Sequence, residues 1–149
     1  MERLQQRWDA LEGPVVRIEQ SVQAPPAEVC VAWLNPDRLA QWWWPQFPDT
    51  TYEVDAREGG AFRFRSEQAG LAAHGTYLYL GPGDAPEIWM TWIWEGGGDG
   101  TAPEELVRVR FEEQEGFGTA VILEHRLAAR GEEVDNPTQG WTDVMARLA

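Results

Sequence analysis

Lysine is absent from this sequence, so every basic residue is an arginine. Arginine codons are GC-rich and no arginine cluster forms along the chain. The bias therefore reads as the codon usage of a GC-rich genome, not as a device for binding phosphate. Cysteine is nearly absent as well. Cys30 alone excludes an internal disulfide and fits a reducing compartment. Histidine occurs only at His74 and His125, and with one distant cysteine these give no zinc spacing. No apolar run approaches membrane-spanning length, and the opening residues 1–8 have no apolar signal core, so a cytoplasmic location is expected. No Gly-x-Ser-x-Gly, dinucleotide fingerprint or EF-hand loop occurs. The glycine-rich stretch 95–103 lacks the lysine and following helix of a phosphate loop and reads as a mobile connector. No metal and no cofactor are expected.

What is present in excess is acid and tryptophan. The net charge of −13 argues against nucleic acid and against an anionic membrane surface, since both would repel it. A basic protein partner and a plain solvated surface both fit it. The 149 residues, 43% of them hydrophobic, suffice for one well-buried core. Nine tryptophans in that length call for a wide core or an aromatic-lined cavity.

Leu4, Trp8 and Leu11 fall at helical spacing, which predicts a short amphipathic helix over 2–12, acting as a frayed arm or as a lid or dimer contact. Residues 1–14 read as an extension and 15–149 as one domain. Val16 and Ile18 alternate with Arg17 and Glu19, predicting a strand over 15–23. After Pro25-Pro26, the residues Val29, Cys30, Trp33 and Leu34 mark a helix over 26–34, and a second one runs from 37 to about 43. Cys30 reads as a small core residue, because nothing near it in sequence stabilises a thiolate. The run Trp42-Trp43-Trp44-Pro45 fits neither period, since no single face holds three consecutive indoles, and Pro45 turns Trp44 away from helical backbone. The helix therefore ends there. Trp42 and Trp43 take core positions, and Trp44 is either structural or ligand-lining.

Alternating or apolar runs separated by turn residues then predict strands over 52–56, 61–66, 74–80, 88–94, 106–111 and 119–127. Asn136-Pro137 reads as a cap followed by proline at the first helical position. Trp141, Val144, Met145 and Leu148 form the apolar stripe of a closing helix, about 18 Å long at 1.5 Å per residue. The resulting class is α+β, an antiparallel sheet packed on a helix.

Several ordered motifs resemble a known family. Val16-Arg17-Ile18 leads to Ala24-Pro25-Pro26-Ala27-Glu28-Val29, and Pro36-Asp37-Arg38-Leu39 is followed by Trp42-Trp43. Gly59-Gly60, Phe62-Arg63 and Thr91-Trp92 come next, then Thr119, Val121, Leu123 and His125 at alternate positions, and finally Gly140-Trp141 with Val144. Together they resemble the START-like (SRPBCC) superfamily, in the subgroup named for the activator of the 90-kDa heat-shock-protein ATPase. The resemblance implies a helix-grip fold, in which a curved antiparallel sheet wraps the C-terminal helix and two short helices follow the first strand. It also implies a cavity between sheet and helix. Members of such families bind apolar small molecules there, some are aromatases or cyclases, and the namesake stimulates a chaperone ATPase. The first twelve residues lie outside the pattern, and the closing helix stops soon after Leu148, which would leave the cavity mouth less covered.

Strand alternation assigns the faces. Thr119, Val121, Leu123 and His125 share the expected cavity face, while Glu124 points away and cannot serve His125 as an orienting carboxylate. Met90, Trp92 and Trp94 point inward, Trp89, Thr91 and Ile93 outward, and both faces of that strand need cover. Phe62 and Phe64 face in, His74 shares a face with Thr76 and Leu78, and Tyr77 with Tyr79. The expected ligand-lining set is Trp44, Phe62, Phe64, Tyr77, Met90, Trp92, Trp94, Val121, Leu123, His125, Trp141 and Met145. Within it His125, Trp92 and Tyr77, with His74 beside them, are polar anchors or else core groups with satisfied hydrogen bonds. No catalytic residue is assigned. The expected function is non-enzymatic binding of an apolar or aromatic small molecule. The alternatives are a co-chaperone-like or homodimerising protein module, and a cyclase- or aromatase-type enzyme using a cavity histidine.

Overall fold

Asn35 starts, and a strained tryptophan stops, the short helix that fastens the tryptophan run to the sheet. The computed structural model describes residues 2–81, 86–95, 102–129 and 134–148, apart from the side chain of Asn136. The elements are α1 (Glu2–Ala10), β1 (Val15–Val22), α2 (Pro26–Leu34), α3 (Pro36–Trp42), β2 (Thr51–Val54), β3 (Ala61–Ser66), β4 (Leu71–Gly81), β5 (Glu87–Glu95), β6 (Glu105–Glu113), β7 (Thr119–Arg126) and α4 (Asp135–Leu148). Every predicted helix and strand is present. The bounds move by a few residues, most at β4, which starts three residues earlier than alternation suggested because Ala72 and Ala73 are too small to mark a face. The connector over 96–101 and the turn at Pro82-Gly83 lie outside the described residues, and the expected Asn136 cap is displaced: α4 already begins at Asp135, because its first helical bond runs from the Thr138 amide to the Val134 carbonyl.

One seven-stranded sheet runs in the order β1-β7-β6-β5-β4-β3-β2, with every neighbouring pair antiparallel. The fold is the helix grip, with α4 held against the inner face of the sheet by Trp141, Val144 and Met145. Inward residues of successive strands meet there as period 2 requires: Phe62 and Phe64 of β3, Met90 and Trp92 of β5, Val107, Val109 and Phe111 of β6, and Val121 and Leu123 of β7. The indoles of Trp33, Trp42 and Trp43 close over them.

The outer face explains why β5 is apolar on both sides. Trp89 points away from the core yet is only 2% exposed. Arg108 lies over its ring at 5.1 Å, and Trp8 of α1 meets it edge-on at 5.7 Å. Arg7 pairs with Glu104 at 2.8 Å, so α1 lies against the side of the sheet opposite the core helices.

At Asn35 the side-chain oxygen accepts hydrogen bonds from the amides of Asp37 (2.8 Å) and Arg38 (3.3 Å), with Pro36 in the first turn. At the other end Trp44 has φ 48°, the left-handed region that usually takes glycine after a helix. A tryptophan there costs about 1–2 kcal/mol of backbone strain. The strain is held by the freed carbonyls of the last turn. Trp42 O accepts from Arg147 Nε of α4 at 3.0 Å, and Trp43 O accepts from the Tyr52 hydroxyl of β2.

Alternation fails on β4. Tyr77 was expected to share a face with Tyr79, but the register shifts between them. Leu80, three residues after buried Tyr77, packs on the core instead. The extra residue of the bulge reverses the faces beyond it.

Candidate functional site

The inward space between sheet and α4 is filled by aromatic rings, and what remains open lies at one end of it. There β4 begins, β5 ends, β6 begins and β7 ends, and α3 and α4 converge on the same edge. A cavity of about 560 Å³ is lined by Trp43, Trp44, Leu71, Trp94, Glu105, Leu127, Pro137, Gly140, Trp141 and Val144. That volume suits a small organic molecule. Trp94 and Leu71 stand 38% and 37% exposed at its rim.

Each wall has a local cause. Trp44 reaches the cavity because its left-handed backbone swings the indole out of the line of α3. Pro137, Gly140, Trp141 and Val144 share one side of α4 at spacings of three and four. An added Cβ at Gly140 would meet no atom within 4 Å, so this helix turn faces open space. Trp94 sits at the end of β5, beyond the cover that buries Trp92 completely.

Behind the aromatic walls runs a buried polar chain. Trp141 Nε1 donates to His125 Nδ1 at 3.0 Å. An indole nitrogen can only donate, so Nδ1 carries no proton and the imidazole proton sits on Nε2. Nε2 in turn lies 2.9 Å from Glu105 Oε1 and donates to it. The second carboxylate oxygen accepts from the Ala128 amide at 2.8 Å. His125 is 0% and Glu105 3% exposed, so the chain is shielded from solvent except where Glu105 meets the cavity.

Of the expected lining residues, Trp44, Trp94 and Trp141 stand in the cavity wall. Phe62, Phe64, Tyr77, Met90, Trp92, Val121, Leu123 and Met145 pack behind it as core, where Trp92 touches Trp43, Trp94 and Trp141. His125 is one step back, joined to the wall through Trp141 and Glu105. His74 lies on the outer face, where its Nδ1 meets Glu95 at 2.7 Å.

Glu105 was not anticipated. The predicted strand began one residue later, at Leu106, and so hid a carboxylate in phase with Val107, Val109 and Phe111. That inward alternation of an acid with apolar residues was the available signal. Glu124, as the alternation required, points outward toward Arg108 and Arg110, 3.7 Å from each.

Burial pushes the Cys30 thiol up to about 11, leaving it protonated at neutral pH and unsuited to nucleophilic attack. No group of three or more potential metal ligands occurs among the described residues. No helix among them is long and apolar enough to cross a membrane.

The outer-face cluster supplies a pH prediction. Glu95 accepts two hydrogen bonds from Arg63, at 3.0 and 2.8 Å. Those bonds first, and His74 second, hold its carboxyl below the ordinary carboxylate range. A depressed folded-state value stabilises the protein above that range, and the benefit is lost as pH falls through the lowered value. Urea midpoints followed against pH should show Arg63→Ala less stable than wild type at neutral pH, with the two curves converging in acid. Both groups are partly exposed, so the gap will be modest.

The family model described as "Activator of Hsp90 ATPase homolog 1-like protein" matches residues 23–149. Among solved structures, DynU16 from the dynemicin biosynthetic locus is 26% identical with a TM-score of 0.73, over 91% of this chain and 45% of that one. The chain thus spans less than half of DynU16. CalU16 from Micromonospora echinospora is 28% identical with a TM-score of 0.66, over 90% of this chain and 73% of that one. The Aha1 dimer from Colwellia psychrerythraea is similar in fold, with a TM-score of 0.71 at 16% identity over 91% of this chain and 92% of that one. Among curated proteins no sequence matches.

Proposed function

The chain belongs to the family of Activator of Hsp90 ATPase homolog 1-like proteins, and from that premise we propose that it binds an apolar, aromatic small molecule without transforming it. The observation behind this reading is the cavity of about 560 Å³ walled by Trp43, Trp44, Trp94 and Trp141. Flat rigid indoles bury a large area against a ring at little entropic cost. The strain at Trp44 points the same way, because backbone held in a rarely populated region gathers at sites of function. DynU16, a protein of a biosynthetic locus, supports a small molecule as the ligand class. A co-chaperone-like or dimerising module is the second reading, supported by a fold shared with the Aha1 dimer. Trp94 is the single exposed indole of the nine, however, and it stands at the rim of the cavity.

The test uses Gly140. Its Cβ would enter open space, and a helix interior loses about 0.5–1 kcal/mol by holding glycine instead of alanine. Gly140→Phe is therefore expected to fold at least as well as wild type while its ring occupies the cavity. A neutral hydrophobic fluorophore, N-phenyl-1-naphthylamine, should bind wild type saturably at one site, with energy transfer from tryptophan, and should lose that signal in Gly140→Phe. Absence of saturable binding to wild type, or equal binding to both proteins, would sink the proposal.

A further inference from the structure

Glu105 raises a question that the aromatic walls do not answer: what balances its charge? Both carboxylate oxygens accept from N–H donors, His125 Nε2 and the Ala128 amide, as an ionised carboxylate does. Neither donor brings a positive charge. The amide is neutral. His125 is neutral because Nδ1 accepts the Trp141 indole proton, and an imidazolium would set N–H against N–H there. Among the described residues no arginine pairs with Glu105. The arginines of β6 turn outward, Arg108 to Glu87 and Glu124, and Arg110 to Glu112 and Glu124, and Arg126 of β7 donates to the Leu11 carbonyl.

A buried carboxylate without a counter-charge is costly. Glu105 is the single charged residue lining the cavity among the described ones, and the remaining lining is apolar apart from four indoles. Indole faces attract cations, more strongly once water is excluded. Two independent features, a buried carboxylate with no counter-charge among the described residues and a ring of electron-rich faces, thus select the same sign of charge. The overall charge of −13 would raise the local concentration of such a ligand. The cavity is far larger than a metal ion needs and offers one carboxylate, which points to an organic cation.

Resting on the cavity reading above, we infer that the ligand is a cation: a protonated amine or other organic ammonium whose charge lies against Glu105 and whose aromatic or alicyclic body is enclosed by Trp43, Trp44, Trp94 and Trp141. Each carboxylate oxygen keeps a free lone pair beyond the one already engaged, so an ammonium proton can be accepted without breaking the chain to His125.

Three probes of one shape test this by calorimetry with the full chain at neutral pH and low salt: 1-naphthylmethylammonium, 1-naphthylmethanol and 1-naphthoate. Wild type is expected to bind the ammonium at least about tenfold more tightly than the alcohol, a factor equal to about 1.4 kcal/mol, and to bind the naphthoate undetectably. In Glu105→Gln the ammonium and the alcohol should bind alike. An alcohol that binds wild type as tightly as the ammonium overturns the charge assignment and leaves the cavity reading standing. No binding by any probe overturns both. An ammonium preference that survives in Glu105→Gln overturns the role of Glu105. If that variant fails to fold, Gly140→Phe serves in its place: ammonium binding must vanish there, and binding that persists places the cation elsewhere and overturns the inference.

Discussion

Replacing Trp43 by alanine is expected to cost roughly 3–5 kcal/mol of stability, a large share of the roughly 5–15 kcal/mol that a folded domain usually has. Trp43 is 1% exposed and sits where α3, the sheet and α4 meet. Trp33, Trp42, Trp44, Phe64, Trp92 and Trp141 surround it with ring centroids 5.0–6.3 Å away. These rings come from different elements and cannot all collapse into the vacated space, which places the cost at the upper end. Trp43→Phe is the informative control. The Trp43 indole nitrogen is buried without a hydrogen-bond partner among the described residues, so phenylalanine removes an unsatisfied donor along with some volume. Its loss should stay below about 1.5 kcal/mol, the range of tolerated hydrophobic swaps. Urea unfolding followed by far-UV circular dichroism separates the two variants. Equal losses for both would mean that Trp43 contributes through its indole edge and not through packing.

Replacing His125 by alanine should be nearly as damaging, at roughly 3–5 kcal/mol, since it combines a core void with stranded polar partners. The void forms at a residue with 0% exposure. The Trp141 indole proton loses its acceptor and Glu105 Oε1 loses a donor, and leaving a charged group under-satisfied is the more expensive of the two. Denaturant unfolding measures the total. A double-mutant cycle with Trp141→Phe isolates the indole–imidazole bond, and a coupling near zero would remove that bond from the account.

The two substitutions mark what could and could not be read from the chain. Trp43 was legible as structural because it follows Trp42 on a helical face and precedes a tryptophan next to proline. The role of Trp44 was legible only as the ring left over; its positive φ and its place in the cavity wall depend on Tyr52 and Arg147, which come from β2 and α4 to hold the end of α3. His125 was legible as inward-facing. Its partner was not, because Glu105 lies on a neighbouring strand, one residue before the apolar run from Leu106 that marks that strand in the sequence. His74, an equally isolated histidine, lies on the opposite face with Glu95 and Arg63.

Sequence alone determined the order of elements, the inward face of nearly every strand, and the helix grip through its ordered motifs. These follow from periods of 2.0 and 3.6 residues and from turn chemistry, which act over a few positions. The tertiary structure decided where the cavity lies, which carboxylate meets His125, and that α1 lies on the outer face against Trp89. Those outcomes depend on strand register, on the β4 bulge and on how much of the interior the large rings occupy. Such quantities arise only when residues far apart in the chain are brought together, and no local pattern encodes them.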